Sequence, residues 1–173
     1  MLLSWSILCI AMMICNQTTD VSDRVGPAAF GPETRRPLPR FASTKRKITN
    51  VRSGPGLDYP LKWTFVRQRL PLEIVAEFGN WRKIRDWSGT EGWIFSGLLS
   101  GQRAALVRPW MKAKLEALRN APQNDAPPIA MLEPKVLALL NYCDGQWCKA
   151  TVRQHEGFLR QRAIWGAYPG EKF

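Results

Sequence analysis

Thr44-Lys-Arg-Lys-Ile-Thr-Asn-Val-Arg-Ser-Gly-Pro55 can be laid on Met111-Lys-Ala-Lys-Leu-Glu-Ala-Leu-Arg-Asn-Ala-Pro122 at an offset of 67, with lysines, apolar positions, arginine and proline coinciding. Asp58 and Pro60 fall on Asp125 and Pro127 at the same offset. Further along, Trp81 falls on Trp147, Glu91-Gly-Trp93 on Glu156-Gly-Phe158, and Leu99 and Gly101 on Ile164 and Gly166. Pro71 falls on Pro134 at an offset of 63, which places four extra residues in the first copy. Small offset changes confined to loops are what insertions between paired strands leave behind. The chain therefore reads as two copies of one unit, 42–101 and 105–168.

The duplication decides a local ambiguity. Alone, Met111 to Arg119 is helical in composition, because Ala, Leu, Lys and Glu are strong helix formers. Its counterpart, Lys45 to Arg52, carries Ile, Thr, Asn and Val and alternates like a strand. Equivalent positions of a repeated fold share a conformation, so both segments are expected to be strands. Each is followed by a loop rich in Pro, Gly, Asn and Asp, at 53–60 and 120–128. Further strands are expected near 63–67, 71–78, 81–87 and 91–95, with turns at Ser88-Gly89 and Asp144-Gly145. Short strands at this spacing predict an all-β chain of two tandem small barrels. Large side chains are expected to fill such small cores, Trp81 and Trp93 among them. Gly92, before Trp93, is expected where the backbone is closely approached.

Asn50-Val-Arg-Ser-Gly-Pro-Gly56, the string Trp81 to Ile84 and Gly92-Trp93-Ile94 together resemble the bacterial Src-homology-3-like (SH3b) domain family. The second copy resembles a diverged member, keeping Leu118-Arg119, Cys143-Asp-Gly-Gln-Trp-Cys148 and Gly157-Phe158-Leu159. It departs at Asn120, Ala121 and Gln123, where the first copy has Ser, Gly and Gly. The resemblance implies SH3-like barrels that bind peptidoglycan, peptides or proteins in the bacterial envelope without catalysing a reaction.

Residues 1–19 contain an uncharged apolar run, Leu2 to Cys15, too short for the roughly 20 residues that span a bilayer and read as a secretory signal. No membrane span is expected after its removal. Residues 20–41 hold Pro27, Pro32, Pro37 and Pro39 with Gly26 and Gly31 and read as a linker. Of four cysteines, Cys9 and Cys15 lie in the signal, which leaves Cys143 and Cys148 as a pair. Asp144-Gly145 between them is a hairpin turn, so the thiols are expected on facing strands. A disulfide closing so short a loop would stabilise by about 2 kcal/mol on the loop-entropy model. The rival readings are free thiols, a zinc site with His155, which lacks a fourth ligand, and a Cys148–His155 catalytic pair, which lacks a nucleophile motif. Together these features place the protein in the periplasm or outside the cell.

With one histidine in 173 residues, chemistry that needs two is excluded. The net charge of +11 divides as +1 over residues 1–40, +5 over 41–101 and +5 over 102–173. That even spread suits an anionic envelope better than a dedicated nucleic-acid patch, so no specific nucleic acid is expected. No cofactor, metal or catalytic residue is expected. Aromatics interleaved with cations mark the first copy, and the candidate ligand-binding residues are Asp58, Tyr59, Trp63, Arg85 and Trp87. The leading function is an exported binding module of the envelope. An accessory subunit of a cell-wall enzyme and a polyanion binder are the alternatives.

Overall fold

A computed structural model describes residues 29–173; the expected signal and the first part of the linker lie outside them. Strands β1 (Ala29–Phe30) and β2 (Pro37–Leu38) form a small hairpin. The first barrel follows, with β3 (Arg40–Thr44), β4 (Thr49–Arg52), β5 (Leu61–Phe65), β6 (Pro71–Phe78), β7 (Trp81–Arg85), β8 (Glu91–Phe95) and β9 (Leu99–Ser100). The second has β10 (Ala104–Val107), β11 (Glu116–Arg119), β12 (Pro128–Leu132), β13 (Leu137–Cys143), β14 (Trp147–Val152), β15 (His155–Arg160) and β16 (Ile164–Trp165). Both seven-stranded sheets have one order, β5-β4-β8-β7-β6-β3-β9 and β12-β11-β15-β14-β13-β10-β16. The chain is two tandem small β-barrels; of the two segments expected to be strands, 45–52 and 111–119, only the ends are, as β4 and β11, and 45–48 and 111–115 are loop.

The copies match in detail. Register shifts fall at Val51/Arg52 and at Leu118/Arg119, 67 residues apart. Arg69 and Lys135 hold the same left-handed backbone, with φ of 64° and 66°, and donate equivalent N–H bonds to Thr44 and Val107. That last pair of bonds corrects the placing of the insertion. Thr44 corresponds to Val107, not to Met111, and the stretch between the strands is Lys45 to Ile48 in the first copy against Arg108 to Leu115 in the second. The second barrel thus has four extra residues here, and the four assigned to the first copy between Pro60 and Pro71 reduce to one, because Arg69 corresponds to Lys135 at an offset of 66. Lysines at similar spacing on both sides had aligned the end of the longer loop with the whole of the shorter one.

Alternation along the strands fills the cores with aliphatic side chains. Val51, Leu72, Ile74, Ile84 and Ile94 form the first core, and Leu118, Leu140, Val152, Leu159 and the two cysteines belong to the second. Trp81 and Trp93 were expected inside and are not. Ile84 and Ile94 take the inward positions, which turns Trp81, Lys83, Trp93 and Phe95 to the outer face. Trp63 is the indole that packs against the core, with Phe65 edge-on at 5.9 Å. Gly92 is where it was expected: a Cβ there would overlap Val51 and meet Arg52 O and the Trp63 indole at 3.1 Å.

The loop after β4 explains the lost glycines of the second copy. Arg52 Nη1 donates to Tyr59 O at 2.7 Å, and Arg119 donates to Ala126 O in the same way. The scaffold is therefore shared. In the first loop the Tyr59 ring covers the backbone so closely that a Cβ on Gly54 would overlap it, and one on Gly56 would lie 3.2 Å from it. The second loop has Ala126 in place of that ring, which leaves room for Ala121 and Gln123.

Part of the expected linker belongs to the first barrel. The Glu77 carboxylate is buried and accepts hydrogen bonds from Glu33 N (3.1 Å), Thr34 N (2.9 Å), Thr34 Oγ1 (2.7 Å) and Arg40 Nη2 (2.5 Å), with Arg82 at 3.5 Å. Prolines spaced with glycines read as a spacer because nothing local reveals a carboxylate more than 40 residues away. Burial pushes the Glu77 carboxyl up, but the Thr34 and Arg40 hydrogen bonds outweigh it and hold the group at about 2, below its ordinary 4.5.

The barrels are joined by aromatic contacts. Phe41 of β3 meets Trp165 edge-on at 5.1 Å and Tyr168 at 4.7 Å. The Arg103 guanidinium lies 4.0 Å from the Phe173 ring centroid and 5.7 Å from that of Phe41, and binds both Glu171 oxygens at 2.8 Å. Tyr168 Oη donates to Glu73 Oε1 of the first barrel at 2.8 Å. Burial, and then the Glu73 carboxylate, push the Tyr168 phenol above its ordinary value.

Two outcomes follow for stability. Because the Glu77 pKa is depressed on folding, its contribution is present above pH 4.5 and is lost as pH falls towards 2; from that shift it is worth about 3 kcal/mol. Urea titrations of the native chain should lose stability over that window, and Glu77→Gln should be less stable at pH 7 and largely remove this dependence. In the loop, Gly54→Ala should destabilise by roughly 1–3 kcal/mol through overpacking. Adding Tyr59→Ala should recover most of that loss, giving a coupling of about 1 kcal/mol in a double-mutant cycle.

Candidate functional site

The loop Arg108 to Leu115 of the second barrel, four residues longer than its counterpart in the first, faces the β7–β8 turn of the first barrel. Arg108 enters it with φ of 35° and its guanidinium binds the buried Glu116 carboxylate, which pins the loop at its base. Between loop and turn lies an open groove of 740 Å³. Trp87 forms one wall, and Trp110, Met111, Lys112 and Leu115 contribute to the other, with Glu133 and Lys135 alongside. Trp110 is 52% exposed and Trp87 37%. Lys135 Nζ sits 4.5 Å from the centre of the Trp87 ring, so a cation from one barrel lies on an indole from the other. Exposed indoles beside ammonium groups can stack on apolar sugar or peptide faces while pairing with anions.

Of the residues singled out in the sequence, Trp87 alone lines this groove. Arg85, at the end of β7, binds Glu91 at 2.8 Å and Glu73 at 3.3 Å. The Glu91 hydrogen bond raises its pKa, and the Lys83 and Arg85 bonds lower that of Glu91. Through Glu73 and its bond from Tyr168, Arg85 belongs to the junction between the barrels. Tyr59 braces its own loop, Asp58 is exposed beside it, and Trp63 packs on the core with Lys62 Nζ 5.3 Å from its ring. Trp110, Met111, Lys112, Leu115 and Glu133 were not singled out. The signal for them was the extra length between the first two strands of the second barrel, which the match at an offset of 67 concealed.

Cys143 and Cys148 are joined in a disulfide between register partners of β13 and β14, with Cα atoms 4.1 Å apart. Both are buried in the second core. The turn between them is closed by Asp144, whose carboxylate accepts the N–H groups of Gln146 and Trp147 at 2.7 Å, and Gly145 takes φ of 102°. The Trp147 and Gln146 N–H groups hold the Asp144 carboxyl below its ordinary range. Sulfurs bonded to each other are neither nucleophile nor metal ligands, which leaves the Cys148–His155 and zinc readings without their thiols. Among the described residues no cluster of three or more His, Cys, Asp or Glu side chains is placed to hold a metal ion, and no helix is long and apolar enough to cross a membrane.

Comparison with sequence families agrees with this architecture. The sequence profile described as bacterial SH3 domain matches twice, at residues 45–101 and 112–166. No curated protein matches the chain. Among solved structures, NlpC1 from Trichomonas vaginalis is 11% identical with a TM-score of 0.34, the match covering 80% of this chain and 51% of that one. NlpC2 from the same organism is 14% identical with a TM-score of 0.30, covering 72% and 46% respectively. The chain thus spans about half the length of these structures. With both barrels matched by one profile and sharing one strand order, the chain belongs to the bacterial SH3 domain family, in two tandem copies.

Proposed function

We propose that the protein is an exported, non-catalytic module of the bacterial cell envelope that binds peptidoglycan or its peptides in the groove between its barrels. The observation that carries this reading is the pairing of Trp87 and Trp110 across that groove, with Lys112 and Lys135 beside them. Wall polymer offers what such a surface takes: apolar sugar and alanyl faces for the indoles, and carboxylates for the ammonium groups. Membership of the bacterial SH3 domain family supports the same ligand class, and the disulfide supports an oxidising compartment. Binding here is by shape and aromatics, with the +11 charge concentrating the protein near an anionic wall.

Co-sedimentation with purified peptidoglycan across a salt series tests the reading. Retention should persist above about 150 mM salt, where screening acts within about 8 Å, and Trp110→Ala should weaken it about tenfold. Release of all the protein by that salt concentration would show charge alone at work. Thiol counting checks the compartment: protein recovered from the envelope should contain no free thiol at Cys143 and Cys148, and two free thiols there would overturn export.

A further inference from the structure

The two barrels carry a groove at the same place, and its chemistry differs between them. In the first, Leu57 of the β4–β5 loop and Asn80 of the β6–β7 turn border Trp81 and Phe95, which face each other in the sheet register. In the second, the corresponding residues are Asn124, Gln146, Trp147 and Arg160, and Trp147 faces Arg160 in the same register. An apolar groove in one copy is thus a cationic one in the other. Gln161 and Arg162, in the turn after β15, also line the second groove, which encloses 330 Å³.

Its cations lack partners. The Arg160 guanidinium lies 5.7 Å from the Trp147 ring centroid, with a buried Nε that has no acceptor. Among the described residues, neither Arg160 nor Arg162 makes an ion pair. The carboxylates near in sequence are engaged elsewhere: Asp144 by the N–H groups of Gln146 and Trp147, and Glu171 by Arg103 and Tyr168 N. No acidic residue lines the groove. Gln161 is 3% exposed, and its Nε2 donates to Tyr168 O and Glu171 O, both at 2.8 Å. Those bonds fix the amide and leave Oε1 without a donor. Guanidinium groups without a carboxylate partner, beside a groove that no acidic residue lines, are open to an anionic ligand. Here the set comprises two guanidinium groups and an indole. A carboxylate beside an apolar side chain matches it, and the free C-terminus of a peptide has that arrangement.

We propose that the second-barrel groove binds the free C-terminal carboxylate of a peptide, through Arg160 and Arg162, with the last side chain lying against the edge of Trp147. The choice of peptide rests on the envelope reading above; the site does not. Calorimetric titration of the native chain with diacetyl-Lys-D-Ala-D-Ala and with its C-terminal amide, in about 150 mM salt, tests it. The acid should bind, and the amide at least tenfold more weakly, since a hydrogen bond to a charged group is worth about that factor or more. Arg162→Ala, an exposed change, should weaken the acid about tenfold. Arg160→Phe, which gives the groove the residue the first barrel has there, should abolish the difference between acid and amide; thermal melting checks that it folds. Equal binding of acid and amide, no binding of the acid, or unchanged affinity in Arg162→Ala overturns the proposal. Acid binding with the expected pattern but no retention on peptidoglycan would overturn the envelope reading alone. Retention without acid binding would overturn this site alone.

Discussion

The contact of Phe41 with Trp165 and Tyr168 holds the molecule together as more than two beads on a string. A barrel of about 60 residues buries too little apolar surface to be comfortable alone. Here a ring from the first strand of one barrel is enclosed by rings from the end of the other. Arg103, between the barrels in sequence, seals that contact by lying near Phe41 and Phe173 while binding Glu171 through both oxygens. The geometry of the groove that holds Trp87 and Trp110 depends on this junction, because its two walls come from different barrels. Arg85 and Glu73 extend the junction to the base of the Trp87 turn.

The repeat was legible because both copies keep what their loop scaffold needs. Arg52 and Arg119 each tie the end of β4 or β11 to a carbonyl seven residues on, and a residue with that duty leaves a fixed spacing in the sequence. The strand character of β11 was legible through the same comparison, against its own helical composition. What could not be read depends on partners far along the chain. Thr34 and Arg40 look like spacer residues until Glu77 is placed among them. Which face of β7 and β8 turns inward is set by whether Ile84 and Ile94 or the larger indoles fit a small interior, and the isoleucines do.

The site was legible in part for the same reason. Trp87 stood out because it lacks a counterpart in the second copy, and it does line the groove. Its opposite wall is an insertion, and an insertion has no counterpart to be compared with. Lysines at matching intervals then drew Met111 to Leu115 into a false correspondence with Thr44 to Ile48, hiding the loop that carries Trp110. Tyr59 was singled out as a surface aromatic and proves to be the reason that Gly54 and Gly56 are glycines.

That last relation constrains the history of the duplicated loop. A glycine under a tyrosine and an alanine beside an alanine are both comfortable, but the substitutions at 54 and 59 that separate them do not cost the same in both orders. An alanine at position 54 beneath the ring forces atoms into one another, whereas a glycine with no ring above it leaves only an unfilled space on an exposed loop. Whichever copy keeps the older pattern, the less costly path between them runs through the glycine without the tyrosine. On that path the ring leaves before the methyl group arrives, or arrives after it has gone.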